Sequence, residues 1–131
     1  GISQLSRLKR FNKKRRMIAK KYDIFLSKYS DIFKIQKVKK NLTHSYQMYS
    51  VQVKSKKRKS LLYYLKKNKI DASVHFDPPL HKMKYLRKYS RKLVNTDILS
   101  NEIITLPIYP NLKNRELKRI FKTIKNWYRN I

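Results

Sequence analysis

The sequence predicts an α/β domain of the two-layer, α+β kind: a long N-terminal helix, then a small three-stranded sheet covered by helices. Three observations carry that expectation. Apolar residues recur at three- and four-residue intervals near both ends, which is helical spacing. In the middle they alternate with polar residues, which is strand spacing. The 131 residues suffice for one domain that buries roughly two-thirds of its unfolded surface. Three short strands cannot stand as a bare sheet in water, so helices must cover at least one face. Residues 1–131 are therefore expected to form a single domain, with a helix over 2–30 and a small α/β unit over 43–131.

Each element has its own signal. From Leu5 the positions Leu8, Phe11, Ile18, Tyr22, Phe25 and Tyr29 lie on one helical stripe. Arg15 falls on the same stripe, where its guanidinium is expected to snorkel past the packed edge. Gln36 to Thr43 is polar and basic and is expected to be a connection. His44 to Val53 is the first strand, with Tyr49, Val51 and Val53 on one face and Tyr46 and Met48 on the other. Leu61, Leu62 and Leu65 form the buried side of a second helix, which Asn68 is placed to end in a left-handed turn.

Ile70, Ala72, Val74 and Phe76 alternate again, which predicts a second strand with Asp71, Ser73 and His75 on its other face, stopped by Pro78 and Pro79. Leu80 to Tyr89 is compatible with a short helix, and Thr96 with Asp97 predicts the cap and first turn of another. Ile104 to Ile108 is the third strand, ended around Pro107 and Pro110. Leu117, Ile120, Phe121, Ile124, Tyr128 and Ile131 line the closing helix, with Glu116 in its first turn.

Composition narrows the function. Lys and Arg number 35 against 7 Asp and Glu, a formal net charge of +28. Such a surplus is what a nucleic-acid-binding protein uses to release counterions from phosphates. Here, however, lysine is spread through every segment, and Ile, Asn and Tyr are abundant beside a single glycine. That bias is expected of A/T-rich coding, which inflates lysine on solvated faces whatever the function. The field still attracts nucleic acid nonspecifically at low salt. Without cysteine, neither a disulfide framework nor a thiolate metal site is available. No apolar run approaches the ~20 residues of a membrane span, so no membrane partner is expected and a cytoplasmic location is. One glycine also rules out a glycine-rich phosphate loop.

Several segments resemble, in order, the DegT/StrS family of sugar aminotransferases. Gln4-Leu5, Lys14-Arg15-Arg16, Ile18-Ala19 and Tyr22 are similar to its "QL…KRR-x-IA-x-x-Y" helix. Tyr46-Gln47-Met48-Tyr49 resembles the "YHLY" strand, and Arg58 with Leu61 the "R-x-x-L" helix. Lys69-Ile70, His75-Phe76 and Pro79-Leu80-His81 resemble "GI-x-x-x-x-HY-x-x-PLH"; Leu106-Pro107-Ile108 with Pro110 resembles "LSLP-x-x-P". Two departures stand out: Lys69 replaces the glycine of "GI", and Gln47 replaces the histidine of "YHLY". A left-handed Lys69 would be strained unless Asn68 takes that conformation instead.

The resemblance implies the C-terminal small domain of a fold-type I enzyme dependent on pyridoxal phosphate (PLP), with 2–30 as the helix linking it to a large domain. It implies amino transfer from an amino acid to a nucleotide-linked keto-sugar, in an enzyme that is a homodimer when complete. By the same resemblance the cofactor-bearing lysine and the rest of the PLP site belong upstream of Gly1, so no catalytic, cofactor-binding or metal residue is assigned and the chain alone is expected to be inactive. His75 and His81 flank the proline break in the segment that edges the family's cleft, and both are expected to contact substrate; His44, beside Thr43 and Ser45, is expected to be a surface polar residue. Two rivals come from other classes: a small basic nucleic-acid-binding protein whose tyrosines, such as Tyr63 and Tyr64, stack on bases, and an interaction protein that uses an open sheet face.

Overall fold

The computed structural model describes residues 1–54 and 56–131. Helix α1 (Ile2–Leu26) opens the chain and passes into a 3-10 turn, Ser27–Tyr29. Its two halves differ. Ile2, Leu5 and Leu8 are exposed, whereas Ile18, Ala19, Tyr22 and Leu26 are buried. The apolar stripe thus meets the core only in its second half, and Tyr29 packs from the 3-10 turn instead of the helix. Arg15 does not snorkel freely; its Nη2 donates to Asn12 Oδ1 at 2.6 Å and its Nε to the Ser45 carbonyl at 3.2 Å, tying α1 to the segment before the sheet.

The sheet is antiparallel, ordered β1 (Phe33–Ile35), β2 (Tyr49–Val53), β3 (Ile103–Leu106). Val53 stands opposite Phe33, Val51 opposite Ile104, and Tyr49 opposite Leu106. With a side-chain period of two, these residues share one face, and all of them are buried. Helix α2 (Arg58–Lys67) adds Leu61 and Leu65 to that core, and α4 (Asn114–Arg129) adds Leu117, Ile120, Ile124 and Trp127. Glu116 Oε2 accepts the Lys113 backbone N–H at 2.7 Å, so the first-turn acid does help α4 start. Helix α3 (Val94–Glu102) lies on the other face of the sheet, with no buried residue of its own.

The expected fold class holds, but one strand is a different one. Residues 70–76 do not form a strand: the alternation buries Ile70 and Ala72 and pairs Ser73 with Thr105 in a single bridge, then fails. Val74 is only half-buried and Phe76 is 79% exposed. The extended backbone ends within this stretch: Phe76 is left-handed, with φ +59°, which no strand continues. The third strand is instead β1, three residues long, where no element was expected.

Smaller differences follow similar lines. The strand begins at Tyr49 and not at His44, because Tyr46 is left-handed, with φ +49°. Lys69 takes the left-handed turn after α2 at φ +55°, and Asn68 stays at φ −89°. Its side chain caps from another side: Nδ2 donates to the Tyr64 carbonyl at 2.8 Å. Thr96 is no cap, since α3 starts at Val94, and Leu80–Lys82 and Lys84–Tyr89 are 3-10 turns in place of one short helix. Ile131 falls beyond α4 and is exposed; Trp127, absent from the expected stripe, is buried, with Nε1 donating to Ser60 Oγ at 3.0 Å.

Candidate functional site

On the face of the sheet away from the three-helix core, a cavity of about 230 Å³ opens between β2, β3, α3 and the 75–79 segment. The strands' alternation supplies its floor. Tyr49 and Val51 face the core, so Ser50 faces the cavity; Ile104 and Leu106 do likewise, so Thr105 does. The two hydroxyls stand opposite each other, with oxygens 3.3 Å apart. Met48, Phe76, Leu99 and Ile103 give the walls an apolar character, while His75 brings an ionisable ring to the rim. Apolar walls with a few converging hydroxyls and an imidazole suit a ring-shaped ligand that carries hydroxyl groups.

The two histidines flanking the prolines are placed differently. His75 lines the cavity, is exposed, and has Nε2 3.0 Å from Ser73 Oγ. His81 is engaged elsewhere: its side chain is 10% exposed and its Nε2 lies 2.9 Å from Asp97 Oδ1. Lys82 Nζ meets the same oxygen at 2.6 Å. Hydrogen bonds from Lys82 and then His81 hold the Asp97 carboxyl below its ordinary range. This cluster pins the 80–82 turn to α3. His44 is half-buried, its Nδ1 accepting the Tyr46 N–H at 2.9 Å.

Arg58 anchors the same region from beneath. Its guanidinium is buried; Nη1 donates to the Ser100 carbonyl at 2.7 Å and Nη2 to Asp77 Oδ2 at 3.3 Å. One planar fork thus holds both the end of α3 and the turn bearing the cis proline. The floor hydroxyls of Ser50 and Thr105 were missed as site residues, although the strand alternation already set them opposite the apolar positions. Leu99 and the Arg58 partners carry no such signal, because long-range packing alone brings them together.

The same architecture is found in a solved aminotransferase: the chain superposes on the aminotransferase TlmJ from Streptoalloteichus hindustanus with a TM-score of 0.91 and 23% identity, over 99% of this chain and 35% of that one. Among curated relatives, it is 27% identical over 129 residues to GDP-perosamine synthase of Escherichia coli O157:H7, covering 98% of this chain and 34% of that protein. It is 25% identical over 125 residues to dTDP-3-amino-3,6-dideoxy-alpha-D-galactopyranose transaminase of Aneurinibacillus thermoaerophilus, covering 95% and 33%. Residues 1–125 match the model of the DegT/DnrJ/EryC1/StrS aminotransferase family, and the chain belongs to that family. It spans about a third of the length of the curated relatives it matches.

The family is PLP-dependent, and the residues of this chain do not fit that cofactor. A lysine that carries PLP needs a desolvated pocket. Among the described residues no lysine is buried; Lys54 and Lys57 are half-buried, and the Lys54 ammonium is bound to the Ser30 carbonyl at 3.0 Å. The only glycine, Gly1, has no heavy atom within 4 Å of its Cβ position, so it forms no close phosphate cradle. Among the described residues no three His, Asp or Glu side chains converge to hold a metal ion, and no helix is long and apolar enough to cross a membrane.

Proposed function

We propose that this chain is the C-terminal small domain of a PLP-dependent sugar aminotransferase, in which amino transfer runs from an amino acid, often glutamate in this family, to a nucleotide-linked keto-sugar. The observation that carries this is the family match over residues 1–125; the two curated relatives, both named for amino sugars, support the substrate class. In this proposal 2–30 is the linking helix, 43–131 the small domain, and a large domain supplies the cofactor-bearing lysine and the phosphate pocket. The complete enzyme is then a cytoplasmic homodimer.

The small domain's part is to close one side of the substrate cleft. His75 meets the sugar from the cavity rim, where Ser50 and Thr105 offer hydroxyl partners. His81 reaches substrate only by exchanging its Asp97 contact; until then it fixes the 80–82 turn against α3. Alone, the chain binds no PLP at a defined lysine and transfers no amino group.

The test is complementation. The chain is mixed with the corresponding large domain of a family enzyme, and amine formation on a nucleotide-linked keto-sugar is followed with glutamate as donor. Turnover from the mixture but from neither part, and a lower turnover with His75→Ala at unchanged PLP content, is the expected result. Stoichiometric PLP attachment at one lysine of the isolated chain, trapped with borohydride and located by peptide mapping, would overturn the proposal.

A further inference from the structure

A second cavity, of about 360 Å³, lies between α1 and the 38–46 segment; its walls combine two cations, Arg16 and Lys20, with the polar Thr43 and His44, one acid, Asp23, and the apolar Val38, Leu42 and Tyr46. Arg16 and Lys20 project into it from successive turns of α1, four residues apart. Like charges at that spacing repel each other, and among the described residues neither side chain has a carboxylate or hydrogen-bond partner. Asp23 is the one acid on the wall, and its Oδ1 is already occupied by the Tyr49 hydroxyl at 2.6 Å.

His44 completes the set. Because its Nδ1 accepts the Tyr46 N–H, the neutral ring carries its proton on Nε2, a donor with no protein acceptor among the described residues. The turn that fixes this tautomer is itself strained: Tyr46, an aromatic residue on the cavity wall, sits at φ +49°. Non-glycine residues held there are strained and cluster at ligand sites. A guanidinium, an ammonium, an imidazole N–H and the Thr43 hydroxyl therefore line one concave space with a single acid, Asp23, one of whose oxygens accepts the Tyr49 hydroxyl.

We propose that this cavity binds a compact phosphate-type oxyanion, a phosphate or diphosphate group, through Arg16, Lys20 and His44. Arg16 presents the planar fork that matches phosphate oxygens, and Lys20 adds a point charge. The site is a place on the surface where the chain's excess charge is organised around a concavity and not merely spread over it.

Calorimetric titration of the full chain with inorganic pyrophosphate at physiological salt tests this against a charge-matched control. Arg16→Gln with Lys20→Gln removes two positive charges at the cavity; Lys118→Gln with Lys122→Gln removes two from exposed positions of α4. The expected result is saturable one-to-one binding, weakened about tenfold or more by the first pair and less than twofold by the second. Equal losses in the two pairs, or no saturation, would overturn the proposal. Running a nucleoside diphosphate beside pyrophosphate separates an ester from a free anion: similar affinities place the contact on the phosphates alone, and tighter nucleotide binding extends it beyond them. Ring NMR signals of His44 in the unaltered chain give a measurement that no folding defect can confuse; pyrophosphate binding that leaves them unmoved removes His44 from the site and the proposal with it.

Discussion

The rings of Tyr22 and Tyr49 stack with centroids 4.6 Å apart and planes 22° from parallel, while their hydroxyls go to different partners. Tyr22 donates to the Pro107 carbonyl at 2.9 Å, and Tyr49 to Asp23 at 2.6 Å. The pair fastens α1 to the central strand and to the chain leaving β3. Burial, acting first, pushes both phenols far above their ordinary range; a neighbouring Tyr109 adds to it for Tyr22, and the Asp23 carboxylate for Tyr49.

That pair makes stability fall in alkali. A folded-state pKa raised above the unfolded value near 10 means the folded chain keeps protons that the unfolded chain loses, so stability is complete below about pH 10 and declines above it. Each tyrosine contributes up to about 1.4 kcal/mol per pH unit in that window. Urea unfolding from pH 8 to 11 should show the decline, and Tyr22→Phe should make it shallower. Tyr22→Phe should also cost about 1–3 kcal/mol at pH 7, because it leaves the Pro107 carbonyl without its donor. An equally steep alkaline decline in Tyr22→Phe would contradict the assignment.

Lys69→Gly should stabilise the protein. Lys69 is exposed and left-handed at φ +55°, and relieving that conformation gains roughly 1 kcal/mol while sacrificing no packing. The same logic makes Phe76→Ala nearly neutral, within about 0.5 kcal/mol, because its ring is in solvent. Thermal unfolding midpoints decide both; a large loss in Phe76→Ala would mean that the ring packs in the core.

Acid should release the 80–82 turn. The Asp97 carboxyl is held below its ordinary range by Lys82 and His81, so this contact is intact above the unfolded carboxylate range and is lost as pH falls through the depressed folded one. NMR of the His81 ring should report the loss there, and Asp97→Asn should give a released His81 signal already at neutral pH. A His81 signal indifferent to Asp97→Asn would separate the two side chains.

Nucleic acid should bind weakly and without sequence preference, with affinity dropping steeply as salt rises. Tyr63 is 70% exposed while Tyr64 packs against the core, so the two do not present a joint stacking platform. Alanine at either should leave DNA affinity unchanged, where stacked bases would each lose about 1–3 kcal/mol. Tight sequence-selective binding at physiological salt would favour the nucleic-acid class instead.

Long, periodic elements were legible in the sequence, and short or strained ones were not. The buried half of α1, the Tyr49–Val51–Val53 face, Leu61 with Leu65, and the α4 stripe all follow from spacing. Strand β1 has only Phe33 and Ile35 to alternate, too few to register beside a helix end. Residues 70–76 carry a true alternation that their backbone abandons at a left-handed phenylalanine. For the site, the histidine pair was visible as residues near a break, but His81's tie to Asp97 spans 16 positions and depends on α3 folding back over the sheet. The family motifs pointed correctly to the aminotransferase relatives, because ordered weak matches accumulate where each alone means little.

The unequal grip on α1 has a mechanical consequence. Its core contacts lie between Ile18 and Leu26 and Arg15 adds a tie to Ser45, leaving the exposed residues Ile2 to Arg10 as a rigid arm, roughly 14 Å long at 1.5 Å per residue. A tilt of only about 10° carries the tip of that arm through roughly 2 Å of arc. The stacked tyrosines act as the clamp on this lever, so a load applied near Ile2 is delivered as torque to the central strand of the sheet.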